Sequence, residues 1–405
     1  VVSAGGLVDL NHFKGKVVVA KILILFSIFA LCGVPRGSSA EDLCAGARKL
    51  LKYVASIRGL PVGSAFACRV ENRSQVESFI RASASERLPQ SRLHNEEELL
   101  RLLGIIPRDY PYFEGMVALY TSQLGGYYDP KTKTIVMADW MPEALQRTIA
   151  IHELTHLLQD QSFNLQKLVG TEIVETDRAL AHAAIVEGDA SVLTFDAEFK
   201  KTGVGRVADL QQLPQLNLVA NEENVSERKQ PHVPDALMAL ILFPYEEGGT
   251  FAHSLLKRGG YKAIDKALNN PPETTREIIH PEVYHERVSG KVVNQSEVLP
   301  PPSDVVYEDV LGEFFVGAAL SSTIKNVKTR REVASHLLKD KAYLVEPKGG
   351  QRSGVWVTVW AHEESAQIFA NYFRIHLRET RGIQSDDHGN TVTVHKRVVT
   401  AKLRL

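Results

Sequence analysis

The spacing of apolar positions changes several times along the chain, and each change predicts an element. Over residues 41–105 the spacing is helical: Cys44, Leu50, Leu51 and Val54 share one face, and a second helix carries Leu99, Leu100 and Leu103 up to Gly104. Over 124–137 it shortens to two strand-like runs on either side of Asp129-Pro130, which predicts a β-hairpin. Helical periodicity returns at Pro142, where a proline at the start and Glu143 in the first turn favour initiation, and it continues to about residue 161. An alanine-rich helix is expected over about 177–200. Residues 210–235 are rich in Pro, Asn and Glu without apolar periodicity, the pattern of a linker or lid. Helices resume over 234–268 and 307–339. The tail reads as strands at 342–346 and 354–360, a helix at 361–379 and an alternating stretch at 391–405. The expected class is α+β, predominantly helical, with a small hairpin or sheet beside the helix at 142–161 and an α+β C-terminal appendage.

The one long apolar run, 17–34, follows Lys14 and Lys16 and leads to Ser38-Ser39-Ala40. A basic start, an apolar stretch at 22–33 and small residues before Glu41 predict a signal peptide over residues 1–40, cleaved after Ala40. The run approaches spanning length, so an uncleaved membrane anchor is the alternative. Export to the periplasm or the medium is therefore expected, with membrane contact only if the segment stays attached. Two of the three cysteines, Cys44 and Cys68, lie beyond this segment, and in an oxidising compartment they are expected to pair. Residues 41–340 are expected to form the main domain and 341–405 a small C-terminal segment.

Composition narrows the function. With 44% hydrophobic and 23% charged residues in a chain of 405, folded globular domains are expected. Lys+Arg 47 against Asp+Glu 48 gives a net charge of -1, so no overall field favours nucleic acid. The densest basic cluster after the first segment, Lys328-Thr329-Arg330-Arg331, is short and reads as a helix face. Neither a phosphate-binding loop nor a nucleophile elbow occurs in the sequence.

The informative segment is Ile151-His152-Glu153-Leu154-Thr155-His156. On a helix, His152 and His156 lie one turn apart on one face and can present two imidazole nitrogens to one metal ion. Glu153, next to the first histidine, can reach a metal-bound water and take its proton. A zinc ion with three protein ligands keeps a position open for that water and makes it acidic. Uncharged neighbours, Ile149 to Ile151 and Leu154 to Leu158 apart from His156, suit a buried active-site helix. The third ligand is expected from the next helix, where Ala183, Ala184, Ala190 and Ser191 surround Glu187 and permit close helix approach. His182 is the rival, on a different face.

His152-Glu153-x-x-His156 followed by Glu187-Gly188-Asp189-Ala190 resembles the gluzincin group of zinc metallopeptidases, to which thermolysin belongs. The chain also resembles an uncharacterised family of exported bacterial proteins. In that family Gly125-Gly126-Tyr127-Tyr128-Asp129-Pro130, His-Glu-Leu-Thr-His, Glu-Gly-Asp-Ala, Phe243-Pro244-Tyr245-Glu246-Glu247-Gly248 and His280-Pro281-Glu282-x-Tyr284 recur in this order. The resemblance implies a zincin-like fold, one Zn2+ per chain on His152, His156 and Glu187, Glu153 as general base, and a peptide or protein substrate. It departs at two places. Ser191 stands where thermolysin-like enzymes have an acidic residue that orients a ligand histidine, so Asp160, Asp177 and Asp189 are the candidates for that role. Leu338-Lys339-Asp340-Lys341 stands where the wider family has Trp-Asp-Gly-Asp-Arg.

A peptidase also needs a donor for the oxyanion that forms when water attacks the carbonyl. Tyr245 and His280 are the leading candidates, with Tyr284 behind them. Residues 134–138 are the expected edge strand for an extended substrate, with Gly125 and Gly126 allowing close backbone approach. The expected function is zinc-dependent peptide-bond hydrolysis. The alternatives are a metallohydrolase of non-peptide amides, which would share every ligand, and an exported zinc-binding scaffold without turnover, in which Glu153 would have no task.

Overall fold

The computed structural model describes residues 40–63, 65–87, 90–170, 173, 175–203, 205–213, 233–291, 301–383 and 389–404. The expected signal segment and most of the expected linker lie outside them. The fold is α+β and mostly helical, with two small sheets. Among the described residues no helix is long and apolar enough to cross a membrane.

The first half runs α1 (Ala40–Arg58), β1 (Ala67–Glu71), α2 (Arg73–Arg87), α3 (Gln90–Leu102), α4 (Tyr112–Gln123), β2 (Gly126–Asp129), β3 (Thr134–Ala138), α5 (Glu143–Phe163), α6 (Leu165–Val169) and α7 (Thr176–Thr202). The hairpin β2–β3 forms where the Asp-Pro turn predicts it. Asp129 closes the turn by accepting the Lys131 N–H at 3.0 Å and the Thr132 hydroxyl at 2.6 Å. Absent from the sequence reading is β1, which pairs parallel with β3 and makes the order β1-β3-β2. A disulfide joins Cys44 on α1 to Cys68 on β1, as expected from the cysteine count.

Helix α5 is buried from Thr148 to Gln159. Ile151, Leu154, Leu157 and Leu158 are fully covered, each burial stabilising by about 1.5–3 kcal/mol. The helix stops at Asn164, which takes a left-handed conformation (φ 60°) and turns its side chain to the Lys167 N–H to start α6. These residues share one core with α1, β3, α7 and the helix that follows the expected linker.

The second half runs α8 (Asp235–Gly259), α9 (Tyr261–Asn269), α10 (Thr275–Ile279), α11 (Pro281–Val288), β4 (Val305–Asp309), α12 (Gly312–Leu320), α13 (Val327–Ser335), β5 (Leu337–Val345), β6 (Ser353–Trp360), α14 (Glu363–Arg381), β7 (Thr391–His395) and β8 (Val398–Arg404). The expected helix at 234–268 breaks at Gly260, whose φ of 65° ends α8. The expected helix over 307–339 is replaced by β4, α12, α13 and the start of β5. Tyr307, Glu308 and Asp309 pair with β5, Gly312 turns the chain at φ 75°, and Asn326 caps α13 by accepting the Thr329 N–H at 3.0 Å. The antiparallel sheet β4-β5-β6-β8-β7 draws strands from both sides of position 340. It shares a second core with α3, α12 and α14, centred on Trp356, Trp360, Phe369 and Phe373.

Asp340 is buried against the second core, accepting from the N–H groups of Leu311 and Gly312 and from the Trp356 indole. Asp177, also buried, accepts the Thr275 N–H and hydroxyl at 2.9 and 2.5 Å. A Cβ on Gly312 would lie 1.8 Å from that Asp177 carboxylate, so glycine is required both for φ and for space.

Helices α7 and α8 cross with their backbones in contact. A Cβ on Gly188 would fall 2.1 Å from the Gly248 carbonyl oxygen, and one on Gly248 would fall 2.1 Å from that of Ala184. The small residues around Glu187 therefore serve this crossing.

Candidate metal centre

His152 and His156 project from the buried face of α5 one turn apart, their rings edge to face at 4.7 Å between centroids. From α7, Glu187 brings Oε2 to 2.9 Å from His152 Nε2 and 3.4 Å from His156 Nε2. One ligand atom from each of the three residues lies within 4.8 Å of the others. Two imidazoles and one carboxylate are the donor set that suits a zinc ion with an open position. The charges respond to this convergence. Burial opposes the imidazolium of His156, but the Glu187 carboxylate beside it prevails and holds its pKa up to about 9. The same two histidines, against the effect of burial, hold the Glu187 carboxyl far below the ordinary carboxylate range.

Glu153 is buried beside the triad, with the Tyr128 backbone of β2 close to its carboxylate. Burial pushes its carboxyl up, against the pull of His152 and His156. Strand β2 can approach this closely because a Cβ on Gly126 would lie 2.8 Å from the Val136 carbonyl and 2.9 Å from Ile149. The glycines thus admit α5. Residues 134–138, expected as the edge, form the central strand, paired by β1 on one side and β2 on the other. An extended peptide cannot pair with them, and the outer strand beside Glu153 is β2.

Tyr245 is brought to the site. Its ring lies 6.0 Å from that of His152, and burial with the charges of Glu187 and Glu153 pushes its hydroxyl well above the ordinary tyrosine pKa. It is therefore a neutral donor at any physiological pH. It lines a cleft of about 440 Å³ together with Ser191, Phe195, Leu213, Thr250 and Arg331. Arg331 pairs with Glu247 at the boundary between this cleft and a second cavity of about 460 Å³. His280 is placed elsewhere: Nε2 meets Glu313 at 2.8 Å, and the ring makes no hydrogen bond, ion pair or ring contact with the triad, Glu153 or Tyr245. Tyr284 donates to the Asn270 carbonyl. His182 binds the Leu168 carbonyl through Nδ1 and stays outside the triad.

The residue that orients His156 is Gln159, which sequence reasoning missed. Its Oε1 lies 2.9 Å from His156 Nδ1, and its Nε2 donates to the Val186 carbonyl at 3.0 Å and to Asp189 at 2.8 Å. Of the three aspartates considered, Asp189 therefore acts at one remove. Asp160 instead holds the Tyr128 hydroxyl at 2.9 Å and the Leu165 N–H, and Asp177 holds Thr275. Nothing polar reaches His152 Nδ1, and the Ser191 hydroxyl is likewise buried without a partner.

Residues 118–214 match a metallopeptidase family. Its description reads "Putative metallopeptidase family (DUF6782)", and the matched span contains α5 and α7 with His152, Glu153, His156 and Glu187. The match supports a hydrolase that uses a metal ion. Among curated proteins no sequence matches. Among solved structures, the chain is similar to one described as "Crystal structure of a putative hydrolase with a novel fold from Chloroflexus aurantiacus". The two are 15% identical, the alignment covers 71% of this chain and 100% of that one, and the TM-score is 0.37.

Proposed function

We propose that this chain is a zinc-dependent metallopeptidase of gluzincin type, exported from the cell, with one zinc ion held by His152, His156 and Glu187. The observation that carries the reading is the meeting of two helices, α5 and α7, which aim Nε2 of both histidines and Oε2 of Glu187 at one point beside the buried Glu153. A zinc ion bound there supplies Lewis acidity, polarising the scissile carbonyl and making a water acidic. Glu153 takes the proton of the attacking water and hands it to the leaving amine. Burial of its side chain favours the protonated form that it holds between the two steps. The neutral Tyr245 hydroxyl donates to the oxyanion as charge develops on it. The Cys44–Cys68 disulfide supports an oxidising compartment. A scaffold that only stored zinc would gain nothing from a buried carboxylate next to its ligands.

The test is zinc content by elemental analysis together with cleavage of a quenched peptide library. Wild type should carry one zinc and cleave, Glu187→Ala should lose both properties, and Glu153→Gln should keep the zinc and lose cleavage. A folded wild type without zinc overturns the proposal.

A further inference from the structure

We infer that Arg58, on the N-terminal helix α1, is a positioning residue for the ligand histidine His156, acting through Asp189 and Gln159. The inference rests on the reading of His156 as a metal ligand. The chain of contacts starts at a fully buried guanidinium. Arg58 Nε lies 2.8 and 3.1 Å from the two carboxylate oxygens of Asp189, and neither side chain is exposed at all. Arg58 Nη2 lies 2.7 Å from Asp265, and the guanidinium stacks over the Tyr261 ring at 4.9 Å from its centroid. Tyr261 is anchored in turn, its hydroxyl donating to Asp196 at 2.7 Å. The Asp189 carboxylate thus has a charged partner that two further side chains hold in place.

What Asp189 does next follows from donor counting. Gln159 Nε2 faces two groups that can only accept, the Asp189 carboxylate and the Val186 carbonyl. Turning the carboxamide over would set its oxygen against both, so its orientation is fixed and Oε1 must face His156. At 2.9 Å from that oxygen, Nδ1 of His156 has to be the donor, which leaves Nε2, the atom aimed at Glu187, to offer its lone pair to a metal. His152 has no such support, because its Nδ1 is buried without a partner. The direction of the ligand set is therefore held at His156. Arg58 and Asp265 both lie outside residues 118–214, so the site draws on parts of the chain beyond the matched family segment. The disulfide at Cys44 ties the helix that carries Arg58 to β1.

The experiment is a mutant cycle on the intact chain, read as Zn2+ affinity by competition with a chromophoric chelator and as the visible spectrum of the Co2+ form. Gln159→Met removes the acceptor without stranding a charge and should weaken Zn2+ binding about ten- to a hundredfold, with an altered Co2+ spectrum and an unchanged circular dichroism spectrum. Arg58→Lys should weaken binding in the wild-type background and add nothing in the Gln159→Met background. If Arg58→Lys does not fold, Asp189→Asn takes its place in the cycle. Tight wild-type binding with affinity and Co2+ spectrum unchanged in Gln159→Met overturns the relay alone, and additive losses in the double variant overturn the part assigned to Arg58. A wild type that takes up neither metal overturns the metal reading itself, and the relay with it.

Discussion

Replacing Gly248 by alanine should separate metal binding from catalysis, because Gly248 belongs to the crossing of α7 and α8 and to no ligand. The added methyl would stand 2.1 Å from the Ala184 carbonyl oxygen and 2.9 Å from its Cα, both backbone atoms that cannot swing aside. Ordinary contact begins at 3.4 Å, so the helices must part by about 1.3 Å. Overpacking of this kind costs about 1–3 kcal/mol, and the better helix propensity of alanine offsets about 1 kcal/mol of it. The displaced helix carries Tyr245, whereas both histidines and Glu187 stand on α5 and α7. A shift of that size at a group contacting the reacting atoms costs on the order of 100-fold in rate. Gly248→Ala should therefore keep one zinc, lose up to about 2 kcal/mol in urea denaturation and fall about 100-fold in kcat/KM against a quenched peptide. Gly46→Ala is the control, since its Cβ would meet nothing within 4 Å and the propensity gain should appear unopposed. If Gly248→Ala proved as stable and as active as that control, the close crossing of the two backbones would be refuted.

Four other outcomes follow from the charges and contacts. His156, whose pKa stands at about 9 in the metal-free protein, carries a proton at pH 7 that zinc must expel. Affinity should therefore rise about tenfold per pH unit between pH 7 and 9 and level off above, and calorimetry in two buffers that showed no proton release at pH 7 would exclude this. Asp177 is pushed up by burial, from 3.8 to about 7, so its contribution to stability is whole below pH 3.8 and is lost as pH rises through 7. Asp177→Asn, which cannot ionise, should gain on wild type by about 1.4 kcal/mol per pH unit across that window, and parallel curves would count against it. Tyr245→Phe should cut kcat about 100- to 1,000-fold with zinc content unchanged, whereas His280→Ala, whose ring is held by Glu313, should lower the melting temperature and leave turnover per folded molecule intact.

What could be read from the residues in advance was local. The one-turn spacing of His152 and His156 is a property of any helix, and the Asp129-Pro130 turn specifies its hairpin through bonds to Lys131 and Thr132. The small residues around Glu187 announced a close helix approach, but the partner proved to be α8 at Gly248. The illegible features join distant segments. Residues 134–138 become central because β1, more than sixty positions upstream, pairs on their far side. Strand β4 lies where the local pattern predicts helix, because its identity comes from β5, whose partner register no local period records. Gln159 carries no signal of its own, since a glutamine three residues after a histidine is ordinary until Asp189 and Arg58 fix which end of its amide faces the ring.

The distribution of supports around the triad explains why the matched segment looks sufficient in sequence and is not sufficient in space. Helices α5 and α7 carry every proposed ligand and the proposed base, so a motif within 118–214 captures the chemistry. Parts of the surroundings of these groups nevertheless come from outside that span. The charge that orders Asp189 comes from Arg58, the donor beside His152 from Tyr245, and the spacing of α7 from Gly248. Isolating a buried carboxylate such as Asp189 from its countercharge typically costs about 3–5 kcal/mol, a large part of the stability of a single domain. The candidate metal centre is thus a property of the first core as a whole, in which α1 and α8 pack on the two helices that carry the triad, one preceding and one following them in the chain.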